Sequence, residues 1–116
     1  MIKEKLKILV DSGVIDEDTQ NYILKVLQYL LEREVINSIE QADVFLTHLA
    51  MADTRRKSNE LISSLDDFVL SEIESDPKYW HSKELWQDLN KMVDKDFEEA
   101  ELDYLYLHII NLLKEE

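Results

Sequence analysis

The sequence predicts an all-α protein, and three observations predict it. One glycine and one proline in 116 residues are too few for a fold built on tight turns. Apolar residues recur three and four positions apart through most of the chain instead of alternating as in a strand. Residues that cap helix starts stand ahead of these stripes, at Asp16, Ser38, Asp76 and Asp96.

Taken in order, residues 2–11 read as a short helix with Leu6, Leu9 and Val10 on one side, stopped by Gly13. Asp16 caps a helix running to about Glu34, whose stripe is Ile23, Val26, Leu27, Leu30 and Leu31. Ser38 and Gln41 form a capping box that opens a long helix to Glu60. A further helix is expected over Leu61–Ser75, with Leu65, Phe68, Val69 and Ile73 at helical spacing. Asp76-Pro77 then breaks the chain and restarts it, with Pro at the first helical position. That helix reaches about Asp94, with Leu85, Trp86, Leu89, Met92 and Val93 facing inward. Asp96 and Glu99 form another capping pattern for a last helix from about Phe97 to Leu113, with Leu102, Leu105, Ile109, Leu112 and Leu113 apolar. The reading divides the chain into a leading helix and turn at 1–14 and a five-helix domain over 15–116. No linker, internal repeat or sustained heptad run interrupts it.

Apolar residues make up 45% of the chain, with two Trp, five Tyr and three Phe, enough for one hydrophobic core. The formal net charge is −13, from 26 acidic and 13 basic residues, which repels phosphate backbones and argues against direct nucleic-acid binding. The same charge offers nothing to an anionic membrane surface. The absence of cysteine removes disulfides, thiolate metal sites and a cysteine nucleophile. No apolar run approaches the ~20 residues that span a bilayer, and the N-terminus lacks a signal-peptide pattern, so a cytoplasmic location is expected.

The reactive inventory is therefore three histidines, the hydroxyls and many carboxylates. His48 lies between Leu46 and Leu49, and His108 between Leu107 and Ile109. The bland reading is a pair of partly buried, hydrogen-bonded histidines; the sharp one is two functional imidazoles presented by two helices. Neither has a metal-ligand partner one turn on, where Met51, Ala52, Asn111 and Leu112 stand, so no metal or cofactor is expected. The scarcity of glycine excludes a phosphate loop and a nucleophile elbow, so no enzyme is expected. His81, among aromatics, reads as structural or surface.

What remains open to His48 and His108 is phosphoryl acceptance, because a neutral imidazole is a competent nucleophile near pH 7. Arg55 lies seven residues after His48, almost on one helical line and about 10 Å along the axis. It is always charged and can grip phosphate with two N–H groups. The bland reading of Arg55-Arg56-Lys57 is a basic last turn that complements the helix dipole.

These segments resemble the phosphotransferase-system regulation domain, or PRD, of bacterial antiterminators and activators that answer to sugar transport. His48-Leu-Ala-Met-Ala52-Asp-Thr-Arg55 is similar to the family's histidine with Ala at +4 and Arg at +7. Glu101-Leu-Asp-Tyr104-Leu-Tyr-Leu-His108-Ile109 is similar to its closing signature of Glu, an aromatic and Leu-His-Ile. Thr47 stands where the family often has Asp. The resemblance, over about residues 17–114, implies a five-helix bundle of two antiparallel helix pairs and a crossing helix, with a short extra N-terminal helix.

The resemblance further implies a homodimer in which His48 and His108 accept phosphoryl groups, with Arg55 and Glu101 contacting or supporting the phosphate. The donors would be the histidine phosphocarrier protein or an enzyme II component of the phosphotransferase system. Dimer rearrangement would then modulate transcription or a partner protein. The alternative is a helical interaction module of the same shape that is never phosphorylated.

Overall fold

A computed structural model describes residues 2–60, 62–93 and 96–114, apart from the side chains of Met92 and Val93. The described residues form six α-helices and no strand. By its internal contacts the chain falls into two compact units, Met1–Glu60 and Leu61–Glu116.

In the first unit, α1 (Ile2–Asp11) buries Ile2 and Leu6. It ends where Gly13 takes a left-handed φ of 79°, a conformation cheap only for glycine. There the Val14 N–H donates to Leu9 O at 2.9 Å and closes the helix end. Asp16 caps α2 (Glu17–Glu32), its Oδ1 accepting the Thr19 N–H at 2.8 Å. Ile23, Val26, Leu27 and Leu30 are buried as their spacing predicts, while Leu31 lies at the exposed margin. The helix stops two residues short of Glu34, which adopts a left-handed φ of 57°.

The capping box at Ser38 and Gln41 is present, with Gln41 Oε1 accepting the Ser38 N–H at 3.2 Å and the Asn37 N–H at 2.6 Å. It closes a tight 3-10 turn over Ile39–Ala42 and not the long helix expected from Ser38. Helix α3 (Asp43–Lys57) begins after it and ends before Asn59, whose left-handed φ of 56° is tolerated by a short polar side chain. Helix α1 packs on α2 and α3, and α2 packs on α3.

In the second unit, α4 (Asp67–Ser75) starts six residues later than the apolar spacing suggests. The cap is Asp66, whose Oδ1 accepts the Phe68 N–H at 2.8 Å and the Val69 N–H at 3.4 Å, so the helix begins where those donors are satisfied. Leu65 is left outside the helix, half-buried, and Phe68 is 71% exposed; Ile73 is the buried position. Asp76-Pro77 does break the chain, but Pro77 sits in a turn closed by Tyr79 N–H to Asp76 O at 2.9 Å. Helix α5 (Tyr79–Val93) therefore starts two residues after the expected position. Trp86 and Leu89 are buried and Leu85 half-buried, whereas Asp94 and the side chains of Met92 and Val93 lie outside the described residues.

Helix α6 (Glu99–Lys114) makes Glu99 its first residue, not its third. Phe97 precedes the helix, packed edge-on against Trp86 at 5.6 Å between ring centroids. Leu105, Ile109 and Leu112 are buried as expected, with Leu102 and Leu113 half-buried. Helices α5 and α6 pack together, and α4 packs on both.

Candidate functional site

The buried residues of α3 are Phe45, Leu46, Leu49, Ala50, Ala52 and Asp53. A helix turned to bury these presents position 48 on the other side, and His48 is exposed. Val44 is exposed one turn before it, and Met51 half-buried one turn after. Arg55, half-buried, continues the same line in the last turn. The burial that the bland reading assumed is therefore not found at His48.

Asp53 is 0% exposed, and the sequence reading gave it no role. Its Oδ2 accepts the Thr19 hydroxyl at 2.7 Å, and its Oδ1 accepts Arg56 Nε and Nη2 at 3.0 and 2.9 Å. Lys57 Nζ lies 3.6 Å from Oδ2 and also donates to Asp16, Asp18 and Thr19 Oγ1. Lys57 and the Asp53–Thr19 hydrogen bond thus lock the end of α3 to the start of α2, while Arg56 pairs with Asp53 within α3, so the bland reading of a dipole-complementing turn is too weak for Arg56 and Lys57. The Lys57 contact, then the Thr19 N–H, hold the Asp16 carboxyl down at about 2. Burial, then the Asp53 charge, push the Tyr22 phenol above its ordinary value. The signal for Asp53 was in the spacing: 46, 49, 50 and 53 form one stripe, so an acid at its end must be buried and partnered.

Thr47, in the place of the family's Asp, is half-buried. Its hydroxyl donates to Asp43 O at 2.8 Å and accepts from Lys5 Nζ at 3.3 Å, while Lys5 also pairs with the Asp43 carboxylate. The Lys5 ammonium holds that carboxyl below its usual range. The Thr47 side chain, next to His48 in sequence, is therefore tied to α1 and to the start of α3.

On α6, Glu101 and His108 are seven apart and share one helical line, as His48 and Arg55 do on α3. Glu101 is 5% exposed and His108 half-buried. Burial, then Glu99 and Glu74, raise the Asp103 carboxyl above its ordinary value, against the opposing charge of Lys83. His81 is exposed. Among the described residues no group of three or more His, Cys, Asp or Glu could hold a metal, and no helix is long and apolar enough to cross a membrane.

The described helices thus place His48 and Arg55 on one line of α3, and Glu101 and His108 on one line of α6. The chain belongs to the PRD domain family, whose sequence profile matches residues 21–112. The family is one of regulatory domains tied to the phosphotransferase system, not of catalysts. The chain is also similar to YhfY, an uncharacterized protein of Escherichia coli (strain K12). The two are 28% identical over 113 residues, covering 96% of this chain and 93% of the relative. No solved structure matches.

Proposed function

We propose that this protein is a phosphoacceptor of the phosphotransferase system, taking phosphoryl groups on His48, on His108 or on both. The observation that carries the reading is His48 itself: exposed on α3, outside its buried stripe, with Arg55 on the same line. The unprotonated ring nitrogen attacks the donor's phosphohistidine; the new N–P bond forms as the donor's N–P bond breaks, and the donor imidazole leaves. The acceptor needs only positioning and positive charge for the phosphoryl oxygens, and Arg55 is the group of the right kind on that line. Glu101 has a supporting role beside His108.

The donor is the histidine phosphocarrier protein or an enzyme II component. A phosphoryl group adds about −1.5 to −2 charges at one side chain, enough to bias helix packing by on the order of a kcal/mol. That bias acts on a homodimer of PRD-type bundles, two antiparallel helix pairs with a crossing helix over residues 15–116. The dimer's rearrangement modulates transcription or a partner protein, in the cytoplasm. The test is incubation with phosphorylated phosphocarrier protein and a search for an acid-labile phosphate by mass. His48→Ala and His108→Ala, alone and together, assign it. No label on the wild type, or undiminished label on the double variant, overturns the reading.

A further inference from the structure

Between α1 and α2, inside the first unit, lies an open cavity of about 490 Å³. Its floor is hydrocarbon, formed by Leu24, Leu27 and Leu31 of α2. Lys3 and Lys7, four apart and so on one face of α1, line it on one side. The amides of Gln20 and Gln28 complete the rim, Gln28 Nε2 being held by Glu32 Oε1 at 2.9 Å. The size falls in the ~300–1,000 Å³ range of small-molecule sites, which are mostly apolar with a few converging polar groups.

The charge pattern narrows the ligand. The chain carries 26 acidic and 13 basic residues, so its basic groups have many acids to pair with. Lys5 does pair, with Asp43, and Lys57 pairs with Asp16 and Asp18. Among the described residues, neither Lys3 nor Lys7 forms an ion pair, although both border the cavity. Two ammonium groups one turn apart, without an ion pair among the described residues, over a leucine floor complement one anionic head with a hydrocarbon tail.

We propose that this cavity binds an amphiphilic anion, a carboxylate on an unbranched hydrocarbon tail. The head lies between Lys3 and Lys7, and the tail covers Leu24, Leu27 and Leu31. Helix α1 precedes the residues matched by the family profile, so one wall of the site is built by chain outside that match. The proposal stands independently of phosphoryl acceptance.

The experiment is calorimetric titration of the full chain with decanoate below its self-association concentration, with amide shifts recorded in parallel by NMR. Decanol supplies the same tail without charge, and acetate the same head without a tail. The expected result is saturable binding of decanoate with shifts confined to α1 and α2, and much weaker binding of both comparators. Lys3→Gln with Lys7→Gln, at two exposed positions, should weaken decanoate by about tenfold, the scale of one lost charge-assisted contact. Leu24→Gln should weaken it independently. Equal binding of decanol, undiminished binding by the lysine variant, or shifts scattered over the chain would overturn the proposal.

Discussion

Replacing Asp53 by alanine tests whether the α2–α3 lock holds the histidine-bearing helix in place. The carboxylate is fully buried and accepts from Thr19 Oγ1 at 2.7 Å and from Arg56 Nε and Nη2 at 3.0 and 2.9 Å. Removing it leaves the buried Thr19 hydroxyl without that acceptor, a loss of about 1–2 kcal/mol. The Arg56 and Lys57 side chains are 31% and 27% exposed and partly resolvate, so their lost pairing adds only about 1 kcal/mol. The desolvation of a buried charge is no longer incurred, which keeps the total below the ~3–5 kcal/mol of a fully buried broken pair. The net expectation is a loss of about 2–3 kcal/mol, a thermal midpoint lower by about 10 °C. Urea unfolding followed by far-UV circular dichroism measures it, and a cycle with Thr19→Val should return a coupling of about 1 kcal/mol. A loss under about 0.5 kcal/mol, the range of ordinary surface changes, would refute the lock.

Acid should unpick the same corner. Asp16 is held down at about 2 against an ordinary 3.8, so its contribution is complete above the unfolded value and disappears as pH falls through 4 toward 2. Lys57→Met should accordingly be less stable than wild type near neutral pH, with the gap closing over that acid window. Because the Asp16 side chain is 59% exposed, its own share is below about 1 kcal/mol after screening. A gap that persists at pH 2 would contradict the assignment. Arg55→Gln should slow phosphoryl labelling of His48 by about tenfold or more, the order expected for one transition-state donor. A timed mass assay reads it, with the helical signal as a control for folding.

The helices were legible where local chemistry and burial agree. Ile23, Val26, Leu27 and Leu30 repeat at helical spacing, Asp16 caps them, and Gly13 ends the helix before. The starts of α4, α5 and α6 fall later than periodicity suggests because a later cap, a competing turn and a tertiary contact, respectively, decide them. Phe97 leaves its helix to meet Trp86, Pro77 is absorbed in a turn, and Asp66 caps in place of any residue near Leu61. Phe68 keeps helical spacing yet faces out, since periodicity fixes a face but not what covers it. At the candidate site, the seven-residue spacing places His48 and Arg55 on one line of α3, and the structure has both on that helix. The exposure of His48 was not, because its leucine neighbours in sequence lie on another face of the helix. Asp53 was overlooked because an acid inside Ala52-Asp-Thr-Arg55 looks solvated until the stripe from Leu46 is followed through it.

The central claim is that His48 or His108 accepts a phosphoryl group. Its most direct measurement is intact-protein mass after incubation with phosphorylated histidine phosphocarrier protein, with site mapping before any acid step. The account predicts an acid-labile phosphate on one or both of these histidines, absent when both are alanine. A wild-type chain that stays unmodified, or a double variant that still carries the label, would contradict it.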